Sequence, residues 1–371
     1  MTGMTEQIKP AGKTILVMAG GTGGHVFPAL AVAHRLRQLG WNIEWLGTEQ
    51  GIEAQVVKQA NISLNYIRVA GLRGKGLIRR FIAPFQLVRA LLQSLSVVSK
   101  IKPACVLGMG GFASGPGGLA AWCLGKPLVI HEQNAIAGMT NRILSRFARR
   151  VLTAFPGAFG TKSSVQEYCV GNPLRQAITE LPPPAERMQG REGQLRMLIL
   201  GGSLGAQVLN QRLPQAMALM EPQQRLEIWH QTGKNNSGVV LAEYQQLNVA
   251  ARVDDFIQNM DEAYAWADLI VCRAGALTVS EIACVGLASI LVPYPHAVDD
   301  HQTANAGFLE SAGAALIIPE PQLTAQHLAE VLIERFSVRS QLLQMAENAR
   351  QLARLDATDQ VANHCLELCH A

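Results

Sequence analysis

The chain has 371 residues, of which 49% are hydrophobic and 16% charged, and its formal net charge is +4. That length predicts two or three domains with ample core, and the composition excludes a disordered chain. The charge is too small to point to nucleic acid, so no nucleic-acid partner is expected.

The first apolar run, residues 14–18, reads as a buried strand. Ala19-Gly20-Gly21-Thr22-Gly23-Gly24-His25-Val26-Phe27-Pro28 follows it and leads into a helical stretch over 26–39. Glycines between a strand and a helix N-terminus let the backbone approach an anion, toward which the helix dipole and the first-turn N–H groups point. His25 adds a titratable group suited to proton transfer near neutrality. The competing reading is a tight turn with a solvated histidine. A G-x-G-x-x-G fingerprint read from Gly21 needs glycine where Val26 stands, and no G-x-x-x-x-G-K-[ST] sequence occurs. A dinucleotide site is thereby weakened and a Walker loop is absent.

Residues 42–46 read as the next strand. From Gly71 to Phe85, the cations Arg73, Lys75, Arg79 and Arg80 alternate with large apolar residues. This is the pattern of a surface that docks on anionic lipid, or of a packed helix with solvated arginines. Pro84 is expected in the first turn of a helix over 84–100. A strand over 105–107 leads into Gly108 to Gly118, where six of eleven residues are glycine. Two Gly-rich strand ends in one half point to an extended anionic ligand such as a diphosphate, with close helix-on-sheet packing as the alternative. The strand over 128–131 ends on His131-Glu132-Gln133-Asn134. These polar residues suit a sugar or a hydrogen-bonded corner, and Glu132 is the second candidate base after His25.

Residues 182–193 read as loop, and then the pattern restarts. An apolar run over 195–200, the turn Gly201-Gly202-Ser203-Leu204-Gly205-Ala206 and a helix over 207–220 echo residues 14–39. Strands are expected over 226–230, 253–257, 268–272 and 289–293. Two similar parallel α/β halves account for the repeat, with ligands outside the carboxyl ends of the strands. Arg273-Ala274-Gly275-Ala276-Leu277-Thr278-Val279-Ser280-Glu281 again opens a helix toward an anion. Glu281 is placed to accept hydrogen bonds from a ribose diol, or simply to complement the helix dipole. Polar residues from His296 to Ala306 suit sugar hydroxyls. Beyond residue 320 the chain reads as helical, with Thr324, Ser337 and Thr358 as N-caps.

Seven cysteines, none in C-x-x-C, fit reduced thiols in a reducing compartment; Cys365 and Cys369 have helical spacing that either a terminal helix or a metal site with His364 or His370 explains. Residues 1–13 have no apolar signal region, and no uncharged apolar run reaches the roughly 18 residues of a membrane span. A soluble or peripheral protein is expected. D-x-D is absent, so a leaving diphosphate would be met by N–H groups, helix dipoles and a cation such as Arg175, with no metal and no cofactor expected.

Gly20-Gly21-Thr22-Gly23-Gly24-His25, the 110–118 glycine loop, His131-Glu132-Gln133-Asn134, Gly171-Asn172-Pro173-Leu174-Arg175 and Ala276-Leu277-Thr278-Val279-Ser280-Glu281 together resemble the bacterial MurG family. Its members are UDP-N-acetylglucosamine:N-acetylmuramyl-(pentapeptide) pyrophosphoryl-undecaprenol N-acetylglucosamine transferases. The likeness runs from about Thr14 to the last helix. It implies an α/β glycosyltransferase-B fold, two Rossmann-like parallel-sheet domains facing across a cleft. Residues 1–174 with 356–371 would form the acceptor and membrane-facing domain, and 175–355 the UDP-sugar domain. The implied reaction is inverting transfer of N-acetylglucosamine from UDP-N-acetylglucosamine to the 4-hydroxyl of undecaprenyl-pyrophosphoryl-N-acetylmuramyl-pentapeptide in peptidoglycan synthesis. His25 would be the base. Thr22, Gly23 and Gly24 would line the cleft, and Asn134 would bind the donor sugar. Arg175 and Ser203 would approach the diphosphate, Ile257 would meet uracil through its backbone, and Ala276, Leu277, Thr278, Val279 and Ser280 would cradle phosphate. Glu281 would hold ribose and Gln302 the sugar hydroxyls. The resemblance further implies peripheral attachment to the anionic cytoplasmic face of the inner membrane. A transferase acting on another lipid, such as diacylglycerol, and a non-catalytic nucleotide-sugar or dinucleotide-binding module are the alternatives.

Overall fold

The computed structural model describes residues 13–69, 77–160, 163–202 and 204–370. The chain divides into two compact units, residues 1–175 with 356–371 and residues 176–355.

The first unit carries strands β1 (Thr14–Met18), β2 (Asn42–Gly47), β3 (Ser63–Tyr66), β4 (Cys105–Gly108), β5 (Leu128–Glu132), β6 (Arg150–Thr153) and β7 (Glu167–Cys169). Helices α1 (Gly23–Gln38), α2 (Glu53–Gln59), α3 (Leu77–Ile101), α4 (Ser114–Cys123) and α5 (Met139–Leu144) connect them. The second unit carries α6 (Gln176–Thr179), α7 (Pro184–Arg187), β8 (Arg196–Leu200), α8 (Gln207–Leu219), β9 (Glu227–Gln231), α9 (Ser237–Gln246), β10 (Arg252–Asp254), α10 (Met260–Trp266) and β11 (Leu269–Cys272). It continues with α11 (Ala276–Val285), β12 (Ala288–Leu291), α12 (His301–Glu310), β13 (Ala315–Ile317), α13 (Ala325–Arg335) and α14 (Arg339–Gln351). The last helix, α15 (Ala357–His370), belongs to the first unit.

The strands form a seven-stranded sheet, β3-β2-β1-β4-β5-β6-β7, and a six-stranded sheet, β10-β9-β8-β11-β12-β13. Their pairings are parallel, with Met18 opposite Gly108 in the first and Leu200 opposite Cys272 in the second. Parallel strands covered on both faces must be apolar on both, which is why these runs were legible as strands. In β1, Ile15 and Val17 enter the core that also contains Val26, Val361 and Cys365, while Leu16 and Met18 enter a core with Val98 and Ala121 on the opposite face. In both sheets the chain order reverses beside the first strand of the unit, between β1 and β4 and between β8 and β11. That reversal opens a crevice at the carboxyl ends of the strands.

Several boundaries differ from expectation. The helix expected from Pro84 begins at Leu77, so Pro84 lies in its interior. Thr324 caps α13 by accepting a hydrogen bond from the His327 N–H, but Val338 rather than Ser337 precedes α14. Thr358 lies inside the first turn of α15, where its hydroxyl donates to the Leu174 carbonyl. The segment expected as loop before β8 contains α7, and its Arg191 pairs with the fully buried Asp268 at 2.7 Å.

Candidate active site

Both glycine loops of the first unit sit at its chain reversal. The first leaves β1 and opens α1, and the second leaves β4 and opens α4. They interlock. Gly111 has φ +83° and approaches so closely that a methyl group there would fall 2.2 Å from the Gly20 carbonyl oxygen. The buried Ser114 hydroxyl donates to the Gly110 carbonyl at 2.7 Å and lies 3.1 Å from the Met18 carbonyl. Trp45 donates its indole N–H to the Ala19 carbonyl at 2.9 Å. At Gly117 and Gly118, by contrast, a methyl would strike Met18 and Leu144, so these glycines serve helix-on-sheet packing.

His25 stands in the first turn of α1, three residues from the N-cap Thr22, with Nδ1 3.4 Å from Thr22 Oγ1. Its ring edge covers Gly110, where a methyl would lie 2.6 Å from Cδ2 and 3.0 Å from Nε2. Gly23 and Gly24 are the first two residues of the same helix, whose N-terminal N–H groups have no intrahelical carbonyl to bond. A residue missed in the sequence, Glu53, lies behind this loop with none of its surface exposed. Its carboxylate accepts from the Gly21 N–H at 3.1 Å and from the Thr48 N–H and hydroxyl at 3.0 and 2.7 Å. The Gly21 N–H is therefore engaged by the protein itself.

The polar end of β5 is a buried corner. His131 is fully buried, and its Nε2–H donates to the Gly171 carbonyl at 2.9 Å. Burial lowers its pKa to about 4. Glu132 accepts four hydrogen bonds, from the Asn134 N–H and Nδ2, the Gly138 N–H and Asn141 Nδ2, at 2.8–3.2 Å. Both Glu132 oxygens are thus engaged in holding Asn134 and the Gly138 turn. Gln133 donates to the Met109 carbonyl and Asn172 to the Gln133 carbonyl, which ties this corner to the second glycine loop.

In the second unit, the turn after β8 interlocks with the turn after β9. Gly205 and Gly233 have φ +81° and +88°, and methyl groups there would fall 2.1 Å from the Thr232 oxygen and 2.2 Å from the Gly205 nitrogen. Gln231, the last residue of β9, accepts from the Ile257 N–H at 2.9 Å and donates to the Gly202 carbonyl at 3.3 Å. The N–H of Ile257, the residue whose backbone is expected to meet uracil, is thus bonded to Gln231. Asp255 caps α9 by accepting from the Ser237 and Asn236 N–H groups, which hold its carboxyl below the usual range.

Ala276, Leu277, Thr278, Val279 and Ser280 form the first half of α11. The N-cap, Gly275, supplies no side-chain oxygen to the first-turn N–H groups. Arg273 holds the neighbouring segment: it donates to the Val292 and Pro293 carbonyls at 3.2 Å and pairs with Glu320. Glu281, buried in the second turn, accepts from the Tyr264 hydroxyl at 2.8 Å. Gln302, in the first turn of α12, accepts from the Tyr294 N–H at 2.9 Å. Asp299 and Asp300 precede it with φ +53° and +51°, a strained tandem of the kind found at ligand sites. Arg175 is exposed and ends the first stretch of the first unit. Ser203 lies outside the described residues.

The structure thus brings together Thr22, Gly23, Gly24 and His25 at one reversal and Ala276 to Glu281 at the other. Glu53, Gln231 and Tyr264 had no local sequence signal, because each acts on a residue distant in the chain.

The glycosyltransferase family 28 N-terminal domain matches residues 15–153, and the family 28 C-terminal domain matches residues 196–361. The chain belongs to glycosyltransferase family 28. Two relatives named UDP-N-acetylglucosamine--N-acetylmuramyl-(pentapeptide) pyrophosphoryl-undecaprenol N-acetylglucosamine transferase are similar to it over most of their length. The one from Marinobacter nauticus is 53% identical over 355 residues, 96% of this chain and 97% of the relative. The one from Cellvibrio japonicus is 54% identical over 358 residues, 96% of this chain and 99% of the relative. Among solved structures, Acinetobacter baumannii MurG superposes on this family 28 chain with a TM-score of 0.84 at 43% identity, covering 96% of this chain and 99% of that one. The calicheamicin glycosyltransferase CalG4, at 15% identity and a TM-score of 0.69, shares the fold alone. The glycosyltransferase-B architecture expected from the sequence is the fold of this family 28 member.

Proposed function

We propose that this protein is an N-acetylglucosaminyltransferase that moves N-acetylglucosamine from UDP-N-acetylglucosamine to undecaprenyl-pyrophosphoryl-N-acetylmuramyl-pentapeptide, converting lipid I to lipid II. The observation that carries this reading is full-length similarity above 50% to relatives named for that reaction, in a chain whose two chain reversals hold the glycine turns. In the first unit, the acceptor's 4-hydroxyl gives its proton to His25 as the oxygen attacks C1 of the sugar. In the tautomer that carries its proton on Nδ1, toward Thr22 Oγ1, Nε2 holds the lone pair that receives it. The C1–oxygen bond to UDP breaks in the same displacement, so the anomeric centre inverts. In the second unit, the N-terminus of α11 faces the leaving diphosphate; Arg175, of the first unit, is the cation assigned to that group. Glu281 receives the ribose hydroxyls. Gln302 keeps its Nε2 as a donor toward the sugar while Oε1 is held by the Tyr294 N–H. Uracil, on this reading, meets the Ile257 segment after Gln231 releases it, or meets its carbonyl.

Among the described residues no helix is long and apolar enough to cross a membrane. We assign peripheral attachment, at the cytoplasmic face of the inner membrane, to the side formed by α3, α4 and α5. Phe85, Leu92, Trp122, Met139 and Ile143 are exposed on these helices, and Arg142, Arg146 and Arg149 are exposed on and just after α5. Apolar residues beside cations suit the interface of an anionic bilayer. Arg73 and Lys75, and the side chains of Arg79 and Arg80, lie outside the described residues.

The deciding experiment presents purified protein and labelled UDP-N-acetylglucosamine with a lipid-linked N-acetylmuramyl-pentapeptide or with diacylglycerol. Label is expected in the muramyl lipid alone. Label in diacylglycerol alone selects the other lipid transferase, and donor binding without transfer to either selects a binding module.

A further inference from the structure

We propose that Tyr264 is a positioning residue for the nucleotide, fixing the Glu281 carboxylate in the plane that receives the ribose diol. This rests on the reading of Glu281 as the ribose contact. Tyr264 lies on α10 with none of its surface exposed, and its hydroxyl sits 2.8 Å from Glu281 Oε2. The phenol O–H donates and the carboxyl oxygen accepts, so the direction of the bond is set. Glu281 itself is 7% exposed. A carboxylate so nearly withdrawn from water needs a donor inside the protein, and the aromatic ring, packed in the core, holds that donor where it is. Two adjacent hydroxyls can bond one carboxylate together only if its plane is correctly rotated, because the geometry of both bonds is fixed at once. A glutamate side chain turning freely about its terminal bond would present that plane in a fraction of its rotamers. The tyrosine removes this freedom before the ligand arrives. Tyr264 touches no reacting atom in this account and acts only through Glu281.

Tyr264→Phe removes the hydroxyl while keeping the ring in its packed place. Binding of UDP and of 2′-deoxy-UDP and 3′-deoxy-UDP is measured by calorimetry for the parent, Tyr264→Phe and Glu281→Gln, alongside donor KM and kcat. The parent is expected to prefer UDP to either deoxy form by about tenfold or more. Tyr264→Phe should shrink that preference severalfold and raise donor KM, with kcat at saturating donor within about twofold of the parent. A purely packing role would weaken all three nucleotides alike, and an unchanged preference in Tyr264→Phe overturns the proposal while leaving the Glu281 assignment intact. A parent with no preference, or a Glu281→Gln variant that keeps it in full, overturns the Glu281 assignment and the proposal with it.

Discussion

His25 and His131, both in the first unit, stand in different chemical settings, and burial separates them. His25 is half-buried over Gly110, at the mouth of a glycine turn, whereas His131 is sealed in the sheet and bonded to the Gly171 carbonyl. His25→Ala is expected to lower kcat by about 10²–10⁴-fold, the usual worth of a positioned base, while UDP affinity stays unchanged because the second unit holds it. Stopped-flow or steady-state turnover with parallel calorimetry checks this; near-parent turnover in a folded variant removes His25 as the base. His131 governs a different pH effect. Its folded pKa is lowered to about 4 by burial, against about 6.5 for an unfolded histidine. The unfolded chain binds the proton more readily, so the stabilisation from a neutral His131 is complete above pH 6.5 and is lost as pH falls toward 4. His230, lowered to about 3 by burial, adds in the same direction. Each tenfold difference in proton affinity is worth about 1.4 kcal/mol, so chemical denaturation should show each histidine lowering stability by about 2 kcal/mol between pH 6.5 and pH 5. His131→Gln should flatten that slope.

Strand ends and helix starts are the elements on which the site is built, and their interlocking makes two of them inseparable. Gly111→Ala combines a positive φ with a clash against the Gly20 carbonyl. It is expected to destabilise the first unit by about 1–3 kcal/mol and to reduce turnover with it, read as a lower denaturant midpoint. The alternation of apolar strands and glycine turns was legible because it is local: a buried parallel strand is apolar throughout, and the turn follows it directly. Thr22 to His25 and Ala276 to Glu281 were readable for the same reason, being contiguous. Glu53 meets Gly21 across 32 residues, Gln231 meets Ile257 across 26, and Tyr264 meets Glu281 across 17; only folding brings these pairs together. Pro84 misled in another way. Proline is favoured in a helix's first turn, yet α3 carries it internally, as α1 and α8 carry Pro28 and Pro214. The helices α3 and α4 also carry the proposed membrane face. Replacing Phe85 and Trp122 with Ser should reduce sedimentation with anionic vesicles severalfold, as should reversing Arg79 and Arg80 to Glu, with turnover of a short-chain soluble acceptor retained. Vesicle binding equal to the parent's in both variants would disprove that face.

At the scale of the whole molecule, the second unit is an insertion between two parts of the first. Residues 357–370 return to the first sheet as α15, where Val361, Ala362 and Cys365 join the core beside β1 and α1. Asp359 pairs with Arg35, Thr358 bonds the Leu174 carbonyl, and Cys365 shares one hydrophobic core with Cys105 of β4, with Cys369 packed against it. The cysteines that spacing left open to metal binding thus lie against a strand thiol. Deleting residues 356–371 should loosen the first unit while the second keeps its cooperative transition. Hydrogen exchange would show protection lost in β1 and α1 and kept in β8 and β11; protection kept throughout would show that α15 is dispensable. During synthesis the same connectivity imposes a schedule. A nascent chain ordinarily completes its domains from the N-terminus onward. Here the first sheet is made early and then waits, one face short of a helix, while some 180 residues of the second unit are translated and free to fold. The unit that begins the chain is the last to be finished, and at elongation rates of about 5–20 residues per second that wait lasts on the order of ten seconds or more. For that interval the apolar surface destined for α15 is exposed to whatever chaperone attends the ribosome.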